Sequence, residues 1–330
     1  MERTPERLNP PADASVTCPT GFEEPLNVIF GGVGGSGIAG DIIADYAREQ
    51  IDVPVSVCRA ASIPKYAGRR TLFVAVSYSG ETQETLGLLE QARRRRTPTI
   101  TITSGGRLLS KSKSEEIPYL RLPAGLLPRV ALPELIGTGL FALEAAGLLK
   151  DTPRLLREAA KSLAREIAEL KPEISTENNR AKEMALALTK TLPLLIGSDE
   201  DGSVLRRFKN ELNENSKMPA FYYTLSESYH NDVEGLKALS ELSHVQPIFL
   251  LCKDQTKGEK LAQEKLHSVL MELGFERPLQ FEGVGPDRLS QLLTAITFGD
   301  YVSVYLAALR GVDPSQLTLI PEFRETFRAA

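Results

Sequence analysis

The sequence predicts an α/β protein made of two doubly wound parallel-sheet domains joined by helices. Three observations carry this. Between about residues 25 and 125, short apolar runs alternate with amphipathic stretches at helical spacing. From about 130 to 190 the pattern is helical throughout. From 191 the strand–helix alternation restarts and continues towards the C-terminus. The chain accordingly divides into a flexible N-terminal segment (1–24), a first domain (25–150), a helical connector (151–190) and a second domain with a C-terminal helix (191–330).

The first strand is expected over 27–31, around the apolar run Val28 to Phe30. GVGGSG follows at 32–37, then Ile38, Ala39, Ile42, Ile43 and Tyr46 at the spacing of a helix over 36–49. The glycines match G-x-G-x-x-G, the fingerprint of a dinucleotide loop. Unpaired amides at a helix start, the helix dipole and a backbone stripped of Cβ atoms all favour an anion there. None of this specifies nicotinamide. A dinucleotide, another phosphate and a purely structural tight turn stay open at this point.

Strands at 53–58, 71–77, 98–103 and 117–122 and a helix at 82–95 complete the first half. In such sheets ligands sit at the carboxyl ends of the strands. The run Arg93 to Arg96 closes an amphipathic helix pattern, where cations complement the dipole. The central helices fall at 131–149, with Pro133 in the first turn, and at 152–170 and 175–190. In the second half TLPLLIGSD, PAFYYTL, VQPIFLLC and PLQFEGV read as strands. Helices are expected at 202–216, 256–273 and 287–310, the last stopped by GVDP, and once more at 315–328. No exact repeat is visible, but the likeness of the halves suggests duplication.

Composition narrows the function classes. The 330 residues are 42% hydrophobic and 25% charged, which supports two domains with real cores. A net charge of −4 argues against bulk affinity for nucleic acid. Cys18, Cys58 and Cys252 are odd in number and widely spaced, which suits a reducing cytoplasm. The polar, proline-rich N-terminus lacks the apolar core of a signal peptide. No apolar run is expected to approach the roughly 18 residues of a membrane span. A cytoplasmic location, with no membrane partner, is expected.

The stretch TLFVAVSYSGET, residues 71–82, is more informative. A buried strand ends in Ser77-Tyr78-Ser79-Gly80-Glu81-Thr82, and a helix begins. Helix capping accounts for one or two of these hydroxyls. Three around a glycine, beside free helix amides, would make a cup for a phosphate monoester. A dinucleotide fold also wants an acidic residue after the second strand to hold a ribose. VPVSVC is followed instead by Arg59, which leaves an NADP reading open. Ser36 and the SYSGET loop favour a sugar phosphate.

GGSG followed by SYSGET resembles the S-x-S-G-x-T pattern of sugar isomerase (SIS) domains. TSGGRLL, LPRVALP, FKNELNENSK, SYHNDVEG and GVDP, in that order, extend the resemblance to archaeal-type bifunctional phosphoglucose/phosphomannose isomerases. The resemblance implies two SIS-type domains and a homodimer with shared active sites, with no metal, nucleotide or other cofactor. It implies that Ser77, Ser79 and Thr82 hold the phosphate, with backbone help from Ser79 and Gly80, and that Gly34, Gly35 and Ser36 line the sugar side. Arg129 would hold substrate oxygens near the reacting carbons. On the residues alone, Glu211 and Glu214 read more simply as a solvated helix face paired to Lys209 or Lys217. The resemblance places the catalytic base at Glu214. It makes His230 the ring-opening histidine, supplied by the other subunit. His244 and His267 read as surface or core fillers.

The chain departs from the family pattern at three places. The lysine of the last helix is Arg324, which can steady an enediolate but shuttles protons poorly. A threonine tied to mannose processing is Leu317, with Thr318 adjacent. Glu81 replaces an asparagine, and its carboxylate would repel a phosphate unless it turned to solvent or paired with a cation. The expected activity interconverts glucose 6-phosphate and fructose 6-phosphate, extending to mannose 6-phosphate. The alternatives are a sugar-phosphate-binding SIS protein with little turnover and, more remotely, an NADP enzyme.

Overall fold

The computed structural model describes residues 4–8, 24–127, 129–242, 244–251 and 255–323. The chain forms two compact units, Met1–Lys161 and Ser162–Ala330. The division falls inside a long amphipathic helix.

The first unit contains, in chain order, α1 (Thr4–Arg7), β1 (Asn27–Gly31), α2 (Gly34–Ala47), β2 (Val55–Cys58), β3 (Thr71–Val76), α3 (Gln83–Arg94), β4 (Thr99–Thr103), α4 (Gly106–Ser114), β5 (Tyr119–Arg121) and α5 (Leu132–Ala145). The helix α6 (Thr152–Leu170) carries the division. Five strands pair in the order β2-β1-β3-β4-β5, every pair parallel. All six residues of β3 are buried, as a central strand covered on both faces requires. The alternate threonines of β4 are buried as well; Thr101 meets Ser112 of α4 through their hydroxyls at 2.7 Å. Residues 4–8 lie in the N-terminal segment expected to be flexible; they form α1 and bury Leu8 against α5.

The second unit contains α7 (Arg180–Ala187), β6 (Leu192–Gly197), α8 (Gly202–Glu214), β7 (Phe221–Thr224), α9 (Leu225–Ser228), α10 (Asp232–Leu242), β8 (Val245–Leu251), α11 (Lys257–Glu272), β9 (Leu279–Glu282) and α12 (Arg288–Leu309). Its strands follow the order β7-β6-β8-β9, again all parallel. The two sheets therefore share one winding: first strand inside, second at the edge, third on the other side of the first.

By length and composition α12 could cross a membrane, although no single apolar run in the sequence signals it. Instead 72% of its most apolar window is buried, against α7 and α8. The expected helix over 175–190 is split. A 3₁₀ turn at Thr176–Asn178 precedes α7, whose N-cap Asn179 accepts from Lys182 N–H at 3.2 Å. Of the helix expected over 315–328, residues 319–323 are helical and 324–328 lie outside the described residues.

Candidate functional site

In the first sheet the strand order reverses between β1 and β3. The loops leaving such neighbours diverge to opposite faces and open a crevice at the strand ends. These are the two loops singled out in the sequence. After β1, Gly34 takes φ +57° and opens α2, whose first turn carries no acidic residue. Ser36 is buried in that turn, and its Oγ accepts the N–H of Tyr78 at 3.4 Å. The glycine loop and the SYSGET loop are thus contiguous.

Within SYSGET the hydroxyls of Ser77 and Thr82 lie 2.8 Å apart. Gly80 N–H donates to Ser77 Oγ at 3.1 Å, and Glu81 N–H to Ser79 Oγ at 3.3 Å. Thr82 is the N-cap of α3, yet its side chain makes no capping bond. Capping therefore does not account for the Thr82 hydroxyl; it turns towards that of Ser77 at the head of the helix. Gly80 adopts φ +70°, and a Cβ there would sit 1.9 Å from the Gly105 carbonyl oxygen. Tyr78 anchors the loop from inside: its buried hydroxyl donates to Pro123 O at 2.8 Å and accepts from Leu126 N–H at 2.9 Å.

A brace comes from α4, a helix the sequence does not signal. Leu108 N–H donates to Gly80 O at 3.0 Å, and Ser104 Oγ to Tyr78 O at 2.7 Å. Arg107 pairs with Glu81, Nε to Oε2 at 2.8 Å. The carboxylate that departs from the family pattern is therefore tied to a cation. TSGGRLL carried the only available signal, two glycines followed by a base.

Arg59, at the end of β2, pairs with Asp41 of α2, so the guanidinium that kept an NADP reading open is turned onto the protein's own helix. Arg129 is half-buried in the turn that leads into α5. The run at Arg93–Arg96 behaves as a helix end: Arg93 meets Glu115 at 3.1 Å, and Arg95 donates to Pro64 O at 2.6 Å.

In the second unit, α8 separates its two glutamates. Glu211 is buried; Arg207 reaches one carboxylate oxygen at 2.7 Å and Asn215 the other at 2.8 Å. Asp300 of α12 grips the other edge of Arg207 at 2.9 and 3.0 Å. Burial opposes the Arg207 charge, but Asp300 and then Glu211 outweigh it and raise its pKa further. Glu214, one turn on, is half-buried. Lys217 Nζ is held by the carbonyls of Glu214 and Asp313, each at 2.8 Å. His230 lies exposed in the turn between α9 and α10, its ring 5.3 Å from that of Tyr229. His267 stacks on Phe249 at 6.4 Å, a packing role, and His244 is exposed. Leu317 is half-buried and Thr318 exposed; Arg324 lies outside the described residues.

The second sheet reverses order between β6 and β8, but that crevice is filled differently. Asp199, Glu200 and Asp201 follow β6 where the first unit has glycines. Buried Asp201 pairs with Arg288 at 2.8 Å and accepts from Ser198 Oγ at 2.8 Å, while Arg288 also donates to Glu200 O at 2.7 Å. Three acidic residues at a helix head disfavour a phosphate there.

Both halves of the chain resemble known proteins. Residues 22–117 match the SIS domain family, and residues 177–327 match the bacterial phospho-glucose isomerase C-terminal SIS domain. The chain is 30% identical over 294 residues to a bifunctional phosphoglucose/phosphomannose isomerase of Caldicellulosiruptor bescii, covering 89% of this chain and 87% of the relative. It is 26% identical over 317 residues to a D-glucosamine-6-phosphate 4-epimerase of Sulfolobus acidocaldarius, covering 92% and 90%. Among solved structures, the C-terminal domain of glucosamine-fructose-6-phosphate aminotransferase from Francisella tularensis aligns with a TM-score of 0.68 at 16% identity, over 96% of each chain. The extent and identity of the first of these matches place the chain in the family of bifunctional phosphoglucose/phosphomannose isomerases, enzymes built from two SIS-type parallel-sheet domains.

Proposed function

We propose that the protein interconverts glucose 6-phosphate and fructose 6-phosphate, with mannose 6-phosphate as a second aldose, through a cis-enediol. The observation that supports this best is the contiguity of Ser36 with the hydroxyl-rich turn Ser77–Thr82 at the switch point of the first sheet. Hydroxyls and backbone amides at the heads of α2 and α3 suit a monophosphate.

In this reading Ser77, Ser79 and Thr82, with the amides of Ser79 and Gly80, hold the phosphate, and Gly34, Gly35 and Ser36 line the sugar. His230, from the other subunit of a homodimer, exchanges a proton with the ring oxygen as the ring opens. Glu214 removes the proton from C2 and returns it to C1, while the hydroxyl proton passes from O2 to O1. Arg129 and Arg324 steady the negative charge on the enediolate. Glu211 is already committed to Arg207 and Asn215, which favours Glu214 as the base. The reaction uses no cofactor or metal, engages neither nucleic acid nor membrane, and takes place in the cytoplasm. The domain limits 25–150, 151–190 and 191–330 remain our functional division of the chain.

A coupled assay for fructose 6-phosphate formed from glucose or mannose 6-phosphate tests the reading, with glucosamine 6-phosphate as the epimerase control. Glu214→Gln should abolish turnover; a wild type that binds fructose 6-phosphate but turns over neither aldose would leave a sugar-phosphate-binding protein instead. Heat of binding with fructose 6-phosphate but none with NADPH would dispose of the dinucleotide reading.

A further inference from the structure

The turn assigned to the phosphate contains a carboxylate of its own. Glu81 stands between Gly80 and Thr82, and a fixed negative charge there opposes a dianionic guest. Arg107, in the first turn of α4, meets Glu81 at three points. Its N–H donates to Oε1 at 2.9 Å, its Nε to Oε2 at 2.8 Å, and a terminal guanidinium nitrogen to the Glu81 carbonyl at 3.3 Å. Gly106 makes the approach possible. It adopts φ +69°, and a Cβ there would sit 2.5 Å from Ser79 O and 2.7 Å from Glu81 Oε1.

The two side chains are 53% and 43% exposed. A pair so exposed contributes at most about 1 kcal/mol to folding. Its larger consequence falls on the anion cup, because it cancels the one formal negative charge within Ser77–Thr82. The main-chain bond from Leu108 N–H to Gly80 O also holds the turn in one shape, and Arg107 N–H fixes the Glu81 carboxylate beside it. We infer that Arg107 is a positioning residue for phosphate binding, acting through Glu81. The inference rests on the phosphate reading of Ser77–Thr82.

Wild type, R107A, E81Q and the double variant are compared for fructose 6-phosphate affinity by calorimetry and for KM and kcat in the coupled assay. R107A should weaken affinity and raise KM about five- to tenfold, with kcat changed by less than about twofold, as expected for screened repulsion of a bound anion. The double variant should recover to within about twofold of wild type, and the R107A defect should shrink in high salt. R107K, which keeps the charge, should retain most of the affinity. The inference is overturned if R107A matches wild type, if the double variant is as weak as R107A, or if R107K loses as much as R107A. A wild type that binds fructose 6-phosphate without turning it over refutes the isomerase reading alone, and the affinities still decide the role of Arg107. A wild type that does not bind it refutes both.

Discussion

Arg207 holds Glu211 across 2.7 Å in the interior of the second unit, and this contact sorts the two glutamates of α8. A carboxylate buried against a guanidinium belongs to the scaffold; Glu214, one turn on, is the base in the function we propose. Glu211→Gln should lower stability by about 1–3 kcal/mol, since Arg207 keeps Asp300 but loses one buried partner. Glu214→Gln should change stability by less than about 0.5 kcal/mol while removing turnover. Urea unfolding of both variants beside the coupled assay separates them. The reverse pattern would exchange their roles.

Gly80→Ala places a methyl group against the Gly105 carbonyl in a left-handed backbone. The conformation alone costs roughly 1–2 kcal/mol, and neither atom of the clash is a flexible side chain. KM for fructose 6-phosphate should rise more than about tenfold, a larger effect than that of R107A. An alanine variant with native KM would show that the turn does not hold the phosphate.

Burial raises the carboxyl pKa of Glu166 above its ordinary 4.5, and the opposing Arg180, bonded at 3.0 and 3.1 Å, does not cancel the effect. The native state thus keeps this proton to higher pH than the unfolded chain. Stability from this group is present below the unfolded pKa and is lost as pH rises through the raised native value. Glu166→Gln should therefore flatten the decline of Tm as pH rises above the ordinary glutamate value. Parallel Tm profiles for the two proteins would refute it.

His230 is exposed beside Tyr229 rather than packed in a core. If it opens the ring, His230→Ala should slow cyclic glucose 6-phosphate by about two orders of magnitude, with open-chain substrate far less affected. Stopped-flow comparison of the two forms reads this directly. Equal losses would assign His230 another task.

Strands were the most legible part of the fold, because continuous apolar runs such as Val28–Phe30 and Leu72–Val76 admit few other structures. Helix α4 was not legible: GRLLSKSKS buries only Leu108, Leu109 and Ser112, too thin a stripe to show periodicity. Helix α10 has a stripe at Val233, Leu236 and Leu239, interrupted by Gly235. At the site, the hydroxyls of SYSGET announced themselves by composition. Glu211 is held by Arg207 and Asn215, each four residues away on α8, a spacing that the sequence does contain; the grip of Asp300 on Arg207 spans 93 residues, and no local pattern encodes it. The Arg107–Glu81 pair spans 26 residues and was hidden for the same reason.

The Asp201–Arg288 pair at the second switch point bears on stoichiometry. Two sheets of like winding suggest two guests per chain. With one crevice already occupied by an internal ion pair and fringed by carboxylates, a titration with fructose 6-phosphate should plateau at a single molar equivalent per polypeptide. The second half would then serve as a platform for side chains rather than as a second receptor.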